Sequence, residues 1–154
     1  MRDILFRGKT ISTDKWVYGG YAKMDDRHFI IVNQKYNDNT CSWGAYDVHP
    51  ETVGEYTGLN DKDNNKIFED DILLFCDDPV LVYWNPETLS WMAKKAVEYP
   101  THDFPDRNWN RVSLGWVDAE VACLGYMTTQ VGGNIHDNPE SFIIERKEDN
   151  WEEF

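Results

Sequence analysis

The chain has 154 residues, of which 28 are Asp or Glu and 15 are Lys or Arg, so its formal charge is 15 − 28 = −13; 41% of its residues are hydrophobic and 14% are aromatic. These values predict a folded domain with a substantial core and exclude the composition of a disordered chain. The negative charge argues against a broad basic face for duplex DNA, because phosphate would be repelled.

The first part of the sequence predicts β-strands. Ile4 to Arg7 and Trp16 to Lys23 are short and rich in β-branched and aromatic residues, and the polar stretch between them favours a hairpin. The next segment, His28 to Gln34, contains the apolar run Phe29 to Val32. Such a strand is apolar on both faces, which predicts that both are covered or that one face meets a partner.

A second hairpin is predicted near the middle of the chain. Val80 to Trp84 and Leu89 to Tyr99 flank Asn85-Pro86-Glu87-Thr88, and Asn-Pro is a turn initiator. Alternation in the second arm predicts a core face and a face in water. The core set is Leu89, Trp91, Ala93, Val97 and Tyr99, and the wet set is Ser90, Lys94 and Glu98. Residues 100 to 111 then read as a loop insertion.

Helical signals are few. Asp118 to Met127 fits either a helix or a strand, and a short helix is predicted from Pro139 to about Lys147, since Asn138 suits the cap and Pro the first helical position. We therefore predict a mainly β fold of several short antiparallel strands, barrel-like or multi-sheet, with one or two short helices. Residues 1 to 154 form a single domain or two small β subdomains, and residues 148 to 154 form an acidic tail.

Targeting signals point to a cytoplasmic protein. The longest apolar run, Ile72 to Cys76, is far shorter than the roughly 20 residues of a membrane span. The first residues lack the pattern of a signal peptide. Cys41, Cys76 and Cys123 are widely spaced and form no Cys-x-x-Cys pair, so we expect free thiols and no disulfide framework.

Charge is distributed unevenly along the chain. Residues 1 to 36 hold seven basic and four acidic side chains, a balance of +3, which leaves 8 − 24 = −16 for residues 37 to 154. This asymmetry fits a basic region that meets an acidic partner surface, including a second copy of the chain. It also fits ordinary solvated faces.

No cluster of residues predicts a metal site. Asp61 to Glu69 is similar to the first positions of a calcium loop, but Lys66 replaces the turn glycine and Ile72 the closing glutamate, so a polar β-turn is favoured. The acidic run Glu69 to Asp71 is expected on a solvated edge. The histidines are never spaced at i, i+4; they are His28, His49, His102 and His136. Catalytic serine elbows and phosphate-loop glycine patterns are absent too, so we predict no enzyme and no cofactor.

Aromatic and basic residues alternate in the first third of the chain. Trp16, Tyr18, Tyr21 and Phe29 lie near Lys15, Lys23 and Arg27. This pattern fits a stacking platform for single-stranded nucleic acid, but in a strand-rich sequence such residues more often belong to a core or a subunit interface.

Three stretches of the sequence resemble the YopX family of phage and prophage proteins. They are the opening Met1-Arg2-Asp3-Ile4-Leu5-Phe6-Arg7, the middle segment Val53 to Ile72, which contains Gly54-Glu55-Tyr56-Thr57-Gly58-Leu59, and the closing Val131-Gly132-Gly133-Asn134-Ile135-His136-Asp137-Asn138-Pro139-Glu140. The matching positions are Arg2, Ile4, Phe6, Arg7, Gly54, Tyr56, Thr57, Gly58, Leu59, Asp61, Lys62, Ile67, Glu69, Asp71, Ile72, Gly133, Asn134, Ile135, Asn138 and Pro139.

The chain departs from the family pattern at two glycines. Asn64 replaces one, and Asn tolerates positive φ well, so we expect that turn to be kept. Asp70 replaces the other, and a positive φ there would strain it mildly. Both positions belong to turns.

The resemblance implies a largely β, phage-derived protein that assembles into homo-oligomers or binds a phage or host protein, and it brings no catalytic residues or cofactor with it. The motif residues are of the kinds that turns and strands need, so we expect a structural role for them. A nucleic-acid module is the alternative, either a single-strand binder through the first third of the chain or an acidic DNA mimic.

Overall fold

The computed structural model describes residues 1–37, 40–75, 78–87, 89–95, 111–113 and 129–139. These residues form two antiparallel sheets that do not close into a barrel, which confirms the predicted mainly β, multi-sheet fold. A three-residue 3₁₀ helix, Pro50–Thr52, lies between two strands of the first sheet. No helix in these ranges is long and apolar enough to cross a membrane.

The first sheet contains six strands in the order β4-β3-β2-β1-β5-β6. Their bounds are β1 Phe6–Lys9, β2 Trp16–Met24, β3 Arg27–Asn37, β4 Thr40–Val48, β5 Gly54–Asn60 and β6 Lys66–Phe68. The predicted first hairpin is confirmed, since β1 and β2 pair antiparallel with Phe6 opposite Gly19. Strand β5 pairs with the other edge of β1, with Gly54 opposite Arg7.

The first four strands curl around an inner face. Thr10 forms an isolated bridge with Val48, and the His49 N–H donates to the Lys9 carbonyl at 2.9 Å, so the end of β4 returns to the end of β1. Ile30 and Val48 are fully buried there, each 0% exposed. At Gly19 the strands approach so closely that a Cβ would lie 2.0 Å from the Ile31 carbonyl oxygen, which only glycine permits.

The outer face of the curled strands is apolar as well. Because neighbouring residues of a strand point to opposite faces, burial of Ile30 directs Phe29 and Ile31 outward, where both stay half-exposed. Ala45 of β4 lies opposite Ile31, and Trp43 lies opposite Asn33 with 71% of its surface exposed. The predicted two-sided strand is therefore present, with one side buried and one side facing outward.

The second sheet contains five strands in the order β10-β9-β8-β7-β11. Their bounds are β7 Asp71–Phe75, β8 Asp78–Asn85, β9 Ser90–Lys95, β10 Arg111–Ser113 and β11 Thr129–Asn134. The predicted second hairpin is confirmed by the β8–β9 register, in which Val82 lies opposite Ala93 and Trp84 opposite Trp91.

The hydrophobic core lies on one face of this sheet and reaches β6 of the first. It consists of Ile67, Leu73, Val80, Val82, Trp91 and Ala93. The predicted wet face of β9 was wrong, because Met92 on that side is only 7% exposed. The predicted core position Leu89 was wrong too. It lies outside the strand with a positive φ of 51° and is 74% exposed.

Several predictions fall outside the described residues. These are the helix or strand at 118 to 127, the helix predicted from Pro139 to about Lys147 (apart from Pro139 itself), the insertion up to residue 110 and the acidic tail at 148 to 154.

Candidate functional site

The three sequence motifs meet where the two sheets join. The turn at Glu69 and Asp70 links β6 of the first sheet to β7 of the second. Polar side chains from β1, β2, β7 and the segment after β11 converge around this turn. We call this group the sheet junction, and its members are Arg7, Lys9, Trp16, Phe68, Asp70, Asp71, Asn134, His136 and Asp137.

A buried ion pair forms the centre of the junction. Arg7 Nη2 lies 2.7 Å from Asp71 Oδ1, and the two side chains are only 7% and 2% exposed. The same nitrogen donates to the Glu69 carbonyl at 3.1 Å. The guanidinium stacks between Trp16 and Phe68, 4.6 Å and 4.9 Å from their ring centres. Pairing and stacking together compensate Arg7 for the loss of water around its charge.

Acidic groups beside Arg7 hold their protons more tightly than usual. Burial raises the pKa of Asp71, against the opposing effect of the Arg7 charge and of the Phe68 N–H, which donates to Asp71 Oδ2 at 2.8 Å. Burial also raises the pKa of Glu69, and the Asp70 charge adds to that effect. Desolvation therefore dominates the electrostatics of this turn.

Asp137 ties the end of β11 to the first sheet. Its carboxylate lies 2.6 Å from Lys9 Nζ and accepts hydrogen bonds from Trp16 Nε1 at 2.7 Å and Asn134 Nδ2 at 3.0 Å. Burial alone would raise the pKa of Asp137, but these donors outweigh it and lower the pKa to about 2. The charged form of Asp137 is thus the one that the junction stabilises.

Asp70 and His136 form a second contact across the junction. His136 Nε2 and Asp70 Oδ2 are 3.0 Å apart, and the imidazole lies 6.1 Å from the Trp16 ring. The Asp70 backbone has a positive φ of 66°. Its N–H donates to the Val82 carbonyl at 2.9 Å, and its carbonyl accepts from the Ile135 N–H at 3.0 Å. These bonds fix a conformation that favours glycine, so Asp70 adopts it at a cost in strain.

Asp61 organises the polar turn that was compared with a calcium loop. It is 1% exposed. Its Oδ1 accepts from the backbone N–H groups of Asp63 and Asn65 at 2.9 and 2.8 Å, and its Oδ2 accepts from Val131 N–H at 3.0 Å. Burial would raise the pKa of Asp61, but these bonds lower it overall. Both oxygens are engaged within the protein, as the β-turn interpretation requires.

The described residues contain no group of three or more His, Cys, Asp or Glu side chains suited to a metal ion. Asn64, in the same turn as Asp61, has a φ of +65°, so the expected positive φ is present.

The other motif residues support strands and turns around the junction. Thr57 Oγ1 donates to the Ile67 carbonyl at 2.9 Å, and Tyr56 hydroxyl donates to Asn60 Oδ1 at 2.6 Å. Gly58 needs its φ of +88°, which a side chain would disfavour. Ile72 is 1% exposed, and Leu59 packs against the core.

Three further motif positions shape the closing segment. The Lys62 N–H donates to the Thr129 carbonyl at 3.0 Å, and the Asn138 N–H to the Asn134 carbonyl at 2.9 Å. A Cβ on Gly133 would lie 2.4 Å from Asn138 Oδ1. The Lys62 bond holds β11 against the Asp61 turn, and the contacts of Asn138 shape the turn that follows β11.

Some motif residues lie away from the junction. Arg2 forms an exposed ion pair with Glu55 at 2.6 Å, Ile4 is 66% exposed, and Pro139 is exposed. Phe6 is half-buried on the inner face, with its ring 5.3 Å from that of Tyr21.

The four aromatics of the predicted stacking platform do not share one surface. Tyr21 lies on the inner face and its hydroxyl is 2.8 Å from His28 Nδ1, whereas Trp16 is engaged by Arg7 and Asp137. Tyr18 packs at 5.5 Å from Phe68.

Sequence reasoning did not assign Lys9, Trp16 or Asp137 to the junction. The signal that places them there is cross-strand pairing, because Lys9 lies opposite Trp16 in the β1–β2 register and Arg7 is two residues away on the same face. What joins β1 to the segment after β11 is long-range packing, which local pattern does not contain.

Among the described residues, two antiparallel sheets meet at the sheet junction, where charged side chains form ion pairs between them. This arrangement defines a two-sheet β protein. The YopX protein family matches residues 5–142 of this chain. The chain therefore belongs to the YopX family, which confirms the resemblance. Among curated proteins, none matches it.

Proposed function

We propose that this chain is a non-enzymatic accessory protein of a phage or prophage that acts by protein association, as a homo-oligomer, in the cytoplasm of its bacterial host. The observation that carries the proposal is the apolar outer face of β2–β4. Trp43 and Met24 are 71% and 68% exposed, and Phe29 and Ile31 are half-exposed beside them. Contiguous exposed apolar surface marks interaction sites on soluble domains.

The contacts of the charged groups at the sheet junction and in the Asp61 turn support a role for these groups in stability. Arg7 and Lys9 each contact an aspartate, and Asp61 uses both carboxylate oxygens inside the protein. Groups committed to such bonds are poorly placed to take part in a reaction. Membership of the YopX family supports the biological setting, because resemblance to that family implies a protein of phage or prophage origin.

Size-exclusion chromatography with light scattering tests the proposal. The purified chain is expected to show a mass above the protomer mass of 18.1 kDa, and this mass should rise with concentration. A strictly monomeric chain at the highest attainable concentration contradicts self-association. Thermal unfolding with added calcium, magnesium, manganese or zinc tests the absence of a metal-dependent activity, and we expect no stabilisation by any of these ions.

One observation favours the nucleic-acid alternative. The Arg27 guanidinium lies 4.9 Å above the Phe29 ring, on the outer face that also carries Trp43. An aromatic ring beside a cation is suited to stacking an unpaired base. Binding of single-stranded oligonucleotides that weakens steeply with salt supports this alternative, and no binding at low salt contradicts it.

A further inference from the structure

Strands β3 and β4 continue beyond the sheet as a two-stranded ribbon. The register of β2 with β3 ends where Gly20 lies opposite Ile31. The pairing of β3 with β4 continues past that point, through Asn33 opposite Trp43 to Lys35 opposite Cys41. We call residues 32–37 and 40–44 the ribbon.

Among the residues that the structure describes, no strand lies against the far edge of β4 along the ribbon. In the parts of the chain that the structure describes, backbone bonds to the Thr10 segment reach β4 only near its end, where the Ile11 N–H donates to the Asp47 carbonyl at 3.0 Å. A two-stranded ribbon is marginal in water without a third strand or a packed face. An open edge that carries a 71% exposed tryptophan is therefore a template for another strand.

Charge identifies the partner that fits this edge. Residues 1 to 48 hold seven basic and six acidic side chains, a balance of +1, so residues 49 to 154 carry 8 − 22 = −14. Copies of such a protein repel one another through their acidic parts. Among two-fold contacts, in which the same surface of each copy meets its counterpart, the least repulsion is expected where the nearly neutral β1–β4 regions face each other.

The side chains at the ribbon are also compatible with this approach. Asn33, Gln34, Ser42 and Trp43 carry no charge, and Lys35, the one charged residue in the ribbon sequence, belongs to β3. Pairing of the two β4 edges therefore brings together strands whose own ribbon residues are uncharged.

We infer that the ribbon joins two copies of this chain, by antiparallel pairing of their β4 edges about a two-fold axis near Trp43. Two ribbons paired in this way form a four-stranded sheet, and the contact is closed because each copy contributes the same surface. The two Trp43 side chains lie on one face across the axis and bury each other. This inference rests on the proposed self-association and names its surface.

Substitutions at Trp43 test the surface. Trp43→Lys and Trp43→Glu are each expected to weaken self-association at least about tenfold, as loss of a central aromatic anchor does. Leu89→Lys is the matched control, since Leu89 is 74% exposed on the β8–β9 hairpin, and it is expected to leave the mass unchanged. Because Trp43 is exposed within the protomer, circular dichroism should match that of the wild type, and so should the urea midpoint at a protein concentration where the wild type is monomeric.

The two proposals fail in different ways. A wild-type oligomer that persists in both Trp43 variants overturns the ribbon contact and leaves self-association standing, whereas a monomeric wild type overturns self-association itself. A photo-crosslinking phenylalanine analogue at position 43 provides a direct measurement. We expect its products to join residues 40–48 of two copies. Crosslinks between two copies that join position 43 to any other segment contradict the two-fold pairing.

Discussion

Arg7 shows how one residue connects both sheets. Its guanidinium contacts Asp71 and the Glu69 carbonyl while its faces cover Trp16 and Phe68. Removing either member of a buried pair leaves the other charge without a partner, and this penalty exceeds the net contribution of the intact pair. The junction therefore tolerates loss of both charges better than loss of one.

We expect Asp71→Ala and Arg7→Ala each to lower the free energy of unfolding by about 3–5 kcal/mol, because each strands a buried charge. The double variant is expected to lose clearly less than the sum of the two. Urea unfolding followed by tryptophan fluorescence measures all three values. Arg27→Ala is the control: Arg27 pairs with Asp47 at 2.6 Å but is 66% exposed, so its loss should amount to less than about 1 kcal/mol. Equal losses at the two pairs contradict this account.

The backbone conformation of Asn64 also determines stability at the scale of a single residue. Asn64 has a φ of +65°. Gly adopts this conformation freely and Asn tolerates it because its short polar side chain can hydrogen-bond locally, whereas Ala is strained there. Asn64→Gly is expected to change stability by no more than about 0.5 kcal/mol, and Asn64→Ala to destabilise by about 1 kcal/mol. Thermal melts of the two variants compare them directly. If the alanine variant is as stable as the glycine variant, the positive φ at position 64 does not affect stability and the prediction is wrong.

At the scale of elements, the Asp61 turn closes an edge of the second sheet. The Val131 N–H and the Thr129 carbonyl lie on the edge strand β11, and they bond Asp61 and the Lys62 N–H. Edge strands otherwise offer such groups to other chains. The turn of the first sheet thus completes the hydrogen bonding of the second.

Asp61→Ala is expected to destabilise the protein by about 2–4 kcal/mol, because several donors lose their acceptor at once. Hydrogen exchange gives the specific readout: the Val131 amide should exchange faster relative to amides in the β8–β9 hairpin. Asp63→Ala is the matched control, since Asp63 is exposed in the same turn and its change should stay within about 0.5 kcal/mol. Unchanged Val131 protection in Asp61→Ala contradicts the edge-closing role.

Local sequence patterns predicted the hairpins, but they did not predict the contacts between the two sheets. The β1–β2 and β8–β9 hairpins follow from alternation and turn residues. Strand β4 was missed because Ser42, Gly44 and Asp47 interrupt its apolar residues, and what makes it a strand is its pairing with β3. The motif around Asp61 predicted a turn, but the bond to Val131 crosses 70 positions, a separation about which local periodicity is silent.

For the whole molecule, the ties between sheets make stability depend on pH. The pKa of Asp137 falls from an ordinary value of 3.8 to about 2 in the folded chain, and that of Asp61 is lowered too. A group that binds its proton more weakly when folded stabilises the fold above its unfolded pKa, and this stabilisation disappears as the pH drops through the folded pKa. Glu69 and Asp71 act in the opposite sense, since their raised pKa values make protonation favour the folded state.

Asp137→Asn separates these opposing contributions. The Asp137 side chain is 34% exposed, so after allowance for solvent screening we expect it to contribute about 1 kcal/mol above roughly pH 4, and this contribution to be lost as the pH falls to about 2. The wild type should lose this stability on acidification, while Asp137→Asn, already weaker at neutral pH, should have a flatter profile. Urea midpoints across this range measure both. Glu69→Gln is the control with the opposite sign, because losing its proton-stabilised state should steepen the acid loss. Parallel profiles for the wild type and Asp137→Asn would mean that the tie from Asp137 to Lys9 and Trp16 does not hold the sheets together.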